Sequence, residues 1–177
     1  MKHIFQNSIA VILLGVGLLS CSYAQSSSTN PCKNPEFGFA EEGFANCKPQ
    51  DAFTRLEELA KRDDPKALYM LGRVYDLGGD AFGLPIVKQD YDLAMRYYVQ
   101  SAKLGYAEAQ DTIGLYYWKF YHGTRIKEAN YWACRAAIQN YPPAVAGIQL
   151  ANKVAGLSET VQQYCARILA SPPKDVK

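Results

Sequence analysis

The segment ALYMLGRVY, Ala67 to Tyr75, recurs as AQDTIGLYY, Ala109 to Tyr117. Ala67 matches Ala109, Leu71 matches Ile113, Gly72 matches Gly114 and Tyr75 matches Tyr117, all at an offset of 42 residues. The segment after each copy is repeated too. AMRYYVQSAKLGY, Ala94 to Tyr106, returns as ANYWACRAAIQNY, Ala129 to Tyr141, with Tyr97 on Trp132, Ala102 on Ala137 and Tyr106 on Tyr141 at an offset of 35. The difference of seven residues is an insertion between Gly78 and Val87, where Gly78, Gly79, Gly83 and Pro85 spell a loop.

Weaker copies flank these two. Ala52 to Ala60 precedes Ala94 to Ala102 by 42 residues, and Ala144 to Ile148 lies 35 residues after Ala109 to Ile113. Val161 to Leu169 then keeps the second-helix spacing, with Tyr164 at the position of Tyr97 and Trp132. Periods of this length with two helices each predict an all-α chain, an α/α solenoid of about three helix-turn-helix units. Alanines and glycines fall on the contact faces, where small side chains let axes approach near the short end of the roughly 8–10 Å range. Leu71, Tyr75, Ile113, Tyr117, Tyr97 and Trp132 fill the space between.

The pattern A-x-x-x-L/I-G-x-x-Y, a turn, then A-x-x-Y/W-x-x-x-x-A-x-x-G/N resembles the Sel-like repeat family, a branch of the tetratricopeptide-like superfamily. The resemblance covers Ala52 to Ala170, about two-thirds of the chain. In the third unit Gln149 stands where a glycine is expected after Ile148. Asn140 replaces the glycine equivalent to Gly105, which asparagine's tolerance of the left-handed conformation allows.

The first 24 residues read as a secretory signal. Lys2 precedes an apolar run from Ile9 to Leu19, whose eleven residues would rise about 16 Å as a helix, roughly half a bilayer core. Two cleavage sites compete. Ser22-Tyr23-Ala24 favours a soluble product beginning at Gln25. Leu18-Leu19-Ser20-Cys21 looks like an imperfect lipobox, which would make Cys21 a lipidated N-terminus. Residues 25–50 read as a Ser-rich lead-in and a loop holding Phe37, Phe39 and Phe44, residues 51–170 as the helical repeats, and residues 171–177 as a tail.

Export leads to an oxidising compartment, and the mature chain keeps Cys32, Cys47, Cys134 and Cys165. Three connectivities are open. Cys32–Cys47 with Cys134–Cys165 keeps each pair within one region, the first pair stapling the N-terminal loop. Aligning Tyr164 with Trp132 sets Cys134 and Cys165 at similar heights on successive second helices, so their bridge would clamp the last helix. Disulfide-bridged repeats are a feature of exported members of the resembled family.

Catalytic signals are sparse. His122 is the sole histidine beyond the signal, and its place in a turn suits contact with helix C-terminal carbonyls. The adjacent pairs Glu41-Glu42, Glu57-Glu58 and Asp63-Asp64 would point about 100° apart on a helix, not face one another. Asp64 and Asp90 read as helix N-caps. No phosphate loop, metal motif or nucleophile elbow stands out, so no enzyme activity and no cofactor are expected.

The remaining signal is a binding surface. In tetratricopeptide-like arrays the first helices of the units line the concave side, and the resemblance implies the same here. Tyr69, Arg73 and Asp76 fall on one face of the first unit, with Asp111, Leu115 and Trp118 as their equivalents in the second. Lys119 lies beside Trp118, and Lys153 extends the face into the third unit. Residues 25–92 hold 12 acids and 8 bases, residues 93–177 hold 5 acids and 10 bases, so the chain is electrically polar along its length. The formal net charge of +2 gives no reason to expect nucleic acid as the partner. The expected partner is another protein, with membrane contact only through a lipid on Cys21. The resemblance implies a periplasmic protein of a Gram-negative bacterium, either an immunity protein that holds a secreted toxic effector inactive or a scaffold of the envelope.

Overall fold

A computed structural model describes residues 48–121 and 124–174. The signal segment, Cys21, the Cys32–Cys47 pair and His122 lie outside the described residues. Within them the chain is all-helical: α1 (Pro49–Ala60), α2 (Pro65–Leu77), α3 (Tyr91–Lys103), α4 (Ala107–Phe120), α5 (Ile126–Ala137), α6 (Pro142–Val154) and α7 (Val161–Leu169). A short 3-10 turn, Gly79–Phe82, comes after α2. The arrangement is compatible with an α solenoid.

Local chemistry sets the helix ends. The Asp64 carboxylate accepts from the Ala67 N–H at 2.8 Å, Pro65 opens α2, and Asp90 accepts from the Leu93 N–H at 2.9 Å to open α3. Thr160 and Gln163 form a reciprocal capping box at the start of α7. After α1, α3, α5 and α6 the chain passes through a left-handed residue, Asp63, Gly105, Asn140 and Gly156 in turn, with φ of 57°, 96°, 60° and 68°. Each time the next N–H bonds to the carbonyl five residues back: Asp64 to Leu59, Tyr106 to Ser101, Tyr141 to Ala136 and Leu157 to Asn152. Asn140 thus takes the left-handed bend expected of it, and Asp63 takes the same bend after α1 without any such signal.

Each helix packs against the next from α1 to α6, and α5 also receives α7. Two glycines make the tightest of these contacts. A Cβ on Gly72 would lie 2.6 Å from the Tyr98 ring of α3. One on Gly114 would lie 3.1 Å from the Ala129 carbonyl oxygen and 3.2 Å from the Ala133 nitrogen of α5. Gly72 and Gly114 are buried, whereas Gln149 at the corresponding place in α6 is exposed. The α6 face that glycine would open is therefore not used for close packing, and α7 docks mainly on α5.

The Cys134–Cys165 disulfide fixes that docking. It joins α5 to α7 with a Cα–Cα distance of 5.1 Å, and both cysteines are fully buried beside Ile148, Ala144 and Val161. The inserted stretch departs from a plain surface loop. Phe82 and Leu84 are buried in the core formed by α1 and α2. The Gly79 N–H bonds to the Val87 carbonyl at 2.9 Å, and a Cβ on Gly79 would overlap the Leu84 carbonyl oxygen. The loop then caps the free carbonyls of α2: Asp90 N–H reaches Tyr75 O at 2.9 Å, and Gln89 Nε2 reaches Asp76 O at 2.6 Å.

Gly114→Leu should lower stability by about 1–3 kcal/mol through overpacking against α5, seen as a lower urea midpoint. Replacing Cys134 and Cys165 by serine should cost about 2–4 kcal/mol, the usual effect of opening a native disulfide. Hydrogen exchange should then speed up in α7 before it does in α2 or α3.

Candidate docking surface

Most of α4's first half is committed to the core, and most of its second half is not. Ala109, Gln110, Ile113 and Gly114 are buried, and Tyr117 is partly so. Leu115 is 59% exposed and Trp118 63% exposed, with Lys119 and Phe120 also in solvent. On α6, Leu150 is 63% and Val154 81% exposed. Leu150 lies 35 residues after Leu115, and Lys153 lies 35 after Trp118, so the two helices offer matching outward positions. Exposed large side chains mark an interaction surface where they form one contiguous apolar patch.

The eight residues expected on the binding face divide into two groups. Leu115, Trp118, Lys119 and Lys153 stand exposed. Tyr69, Arg73, Asp76 and Asp111 are half-buried, and three of them are tied into the packing. The Tyr69 ring lies 5.6 Å from that of Tyr98 and 5.3 Å from that of Tyr106, and its hydroxyl is hydrogen-bonded with Thr112 on α4. Asp76 Oδ2 accepts from the buried Tyr98 hydroxyl at 3.1 Å. Arg73 acts electrostatically on both Tyr69 and Tyr98. The aromatic and charged residues of α2 therefore join α2 to α3 and α4 as much as they face outward.

Burial governs the titration of this region. Desolvation holds the Tyr69 hydroxyl above its ordinary range. The Tyr98 and Tyr106 hydroxyls are pushed higher still, by burial first and then by the carboxylates of Asp76 and Glu108 to which they donate. Asp111 is raised from the usual carboxylate range by desolvation. These phenols stay protonated donors at any physiological pH, which suits a fixed scaffold.

Sequence reasoning passed over one polar group that matters to the frame. Gln110 is fully buried; its Nε2 donates to the Ala102 carbonyl at 3.0 Å, and its Oε1 accepts from Gln139 Nε2 at 2.8 Å. It joins the end of α3 to the end of α5 through α4. A glutamine on the apolar side of its helix was the available signal. Leu150 was equally accessible, through its offset from Leu115.

Among the described residues no group of three or more histidine, cysteine, aspartate or glutamate side chains could hold a metal ion. No described helix is long and apolar enough to cross a membrane. A shallow concavity at the start of α7 is lined by Ser158, Glu159, Gln163 and Arg167, where Arg167 and Glu159 pair at 2.9 Å.

Trp118→Ala should weaken binding to a protein partner by about 2 kcal/mol if the indole is an anchor. Because the ring is exposed, the melting temperature should change little; a large drop would assign the ring to the core. No family model matches the chain, and no curated protein matches it.

Proposed function

We propose that the chain is an exported, Sel-like repeat module whose work is to bind another protein in the periplasm. In this reading α2–α3, α4–α5 and α6–α7 are three successive helix-turn-helix units, α1 is the second helix of an incomplete leading unit, and Cys32–Cys47 staples a loop ahead of it. The recurring left-handed turns after α1, α3 and α5 support it, since Asp63, Gly105 and Asn140 are spaced by the same 42 and 35 residues as the sequence copies. The Cys134–Cys165 bridge supports export, because buried disulfides persist in oxidising compartments.

The observation that carries the binding function is the exposure of Leu115 and Trp118 on α4 and of Leu150 at the matching sequence position on α6. Burying such side chains against a partner contributes about 1.5–3 kcal/mol each. The role that fits best is an immunity-type protein that captures a secreted toxic effector one-to-one and holds it inactive.

Capture from periplasmic extract with the purified mature chain, read by mass spectrometry, tests this. The expected result is one dominant toxin-like protein, encoded beside this chain, held in a complex that Trp118→Ala weakens. Several weaker envelope partners would favour the scaffold role instead. No captured protein, together with hydrolysis of a cell-wall substrate by the pure chain, would overturn the binding function.

A further inference from the structure

The connection from α4 to α5 is built unlike the shorter joints of the chain. The turns after α1, α3 and α5 share the left-handed bend and expose at most one large apolar side chain, Leu104 after α3 and Ile138 after α5. The turn after α4 has no left-handed residue among its described positions, and Phe120, Tyr121 and Ile126 around it are all exposed.

Short contacts hold these groups in one tip. The Phe120 ring lies 4.4 Å from that of Tyr116, and Lys119 Nζ stands 5.4 Å from the Phe120 ring centre. The Tyr121 ring lies 5.6 Å from that of Tyr117, and the Arg125 guanidinium lies 4.8 Å over Tyr117 and 5.4 Å over Tyr121. The Thr124 N–H donates to the Tyr121 carbonyl at 2.8 Å, and Ile126 then opens α5. Aromatic and aliphatic side chains are thus gathered where one helix ends and the next begins.

The charge of the tip has one sign. From Leu115 to Lys127 the chain holds Lys119, Arg125 and Lys127 and no acid. Glu128 follows and pairs with Arg125 at 3.0 Å, so Lys119 and Lys127 are the exposed cations. Lys127 lies in the first turn of α5, where a cation works against the helix dipole, and Arg125 at the N-cap supplies no side-chain acceptor. An anion brought from outside offsets that cost. Aromatic rings, aliphatic groups and lysines on long apolar stems are the side chains that settle at the boundary between lipid headgroups and acyl chains.

We infer that the α4–α5 tip, formed by Lys119, Phe120, Tyr121, Ile126 and Lys127, docks on the surface of an anionic phospholipid bilayer. The three apolar side chains enter the headgroup region, and the two lysines meet lipid phosphates. Charge complementarity selects this occupant, because each lysine close to an anionic membrane strengthens binding about fivefold. The contact is peripheral, as no described helix is long and apolar enough to cross a membrane. It goes beyond the protein-binding reading, and it needs no lipid on Cys21.

The test is flotation of the purified mature chain, carrying no lipid, with two kinds of vesicle: phosphatidylcholine alone, and a roughly 2:1 mixture of phosphatidylcholine and phosphatidylglycerol. The chain should float with the mixed vesicles, far less with the neutral ones, and less with either at high salt. Lys119→Gln combined with Lys127→Gln should weaken binding to the mixed vesicles about tenfold or more. Phe120→Ser should weaken it about fivefold, through the apolar area withheld from the bilayer. Lys61→Gln combined with Lys103→Gln removes the same charge elsewhere on the surface and should leave flotation unchanged. Lys119 and Lys127 are exposed, so their variant keeps the test decisive even if Phe120→Ser disturbs folding. No flotation with the mixed vesicles, equal flotation with both kinds, or a Lys119/Lys127 variant that floats like the parent overturns the site. A captured protein that these variants release, with vesicles left unbound, makes the tip a protein contact and overturns the membrane inference. Vesicle binding without any captured protein supports the site and counts against the proposed function.

Discussion

The seven helices of the described residues, none longer than 14 residues, cannot hold themselves in water, because isolated helices of that length are marginal. Their stability comes from lying on one another. The closest contacts are made where a glycine removes the side chain that would otherwise separate two axes. Gly72 takes the Tyr98 ring against the α2 backbone, and Gly114 takes the α5 backbone itself, at Ala129 and Ala133. The rest of the packing depends on these approaches. They sink Leu71, Val74, Ile113 and Trp132 into continuous cores, and they leave the other sides of α2 and α4 turned outward.

The outward sides are then specialised. On α2 the outward aromatic and acidic groups are drawn into a hydrogen-bonded seam with α3 and α4, through Tyr69, Tyr98, Tyr106 and Asp76. On α4 no such seam forms below Asp111 among the described residues, and Leu115 and Trp118 stay in solvent. In the proposed reading α2 supplies rigidity and α4 supplies the contact surface. Gln110 ties α4 to the last turn of α3 and to the turn that follows α5.

Helix content and order were legible because periodicity and turn chemistry agree. The offsets of 42 and 35 residues located the paired helices, Asp64 and Asp90 announced their caps, and Asn140 announced a left-handed turn. Cys134 and Cys165 were placed by aligning Tyr164 with Trp132, and the bridge is present. Other features were hidden for physical reasons. Nothing local separates an outward Tyr69 from one wedged between two rings, since that depends on where Tyr98 and Tyr106 arrive. The loop from Gly78 to Val87 has the composition of a surface turn, but its two apolar residues, Phe82 and Leu84, find a core to enter. The docking of α7 on α5 more than on α6 goes with an exposed Gln149 and the Cys134–Cys165 bridge, a combination that shows only once the helices are assembled.

The left-handed turns after α1, α3, α5 and α6 share one backbone path although the residue at the bend changes from aspartate to glycine to asparagine and back to glycine. A connector that asks only for a residue able to take the left-handed bend works as a standard joint. A gene duplication that copies the stretch from one joint to the next would hand the growing array a piece already shaped to fit on both sides. In the proposed repeat reading, length is therefore easy to inherit and easy to lose, and the exposed faces between the joints are left to vary.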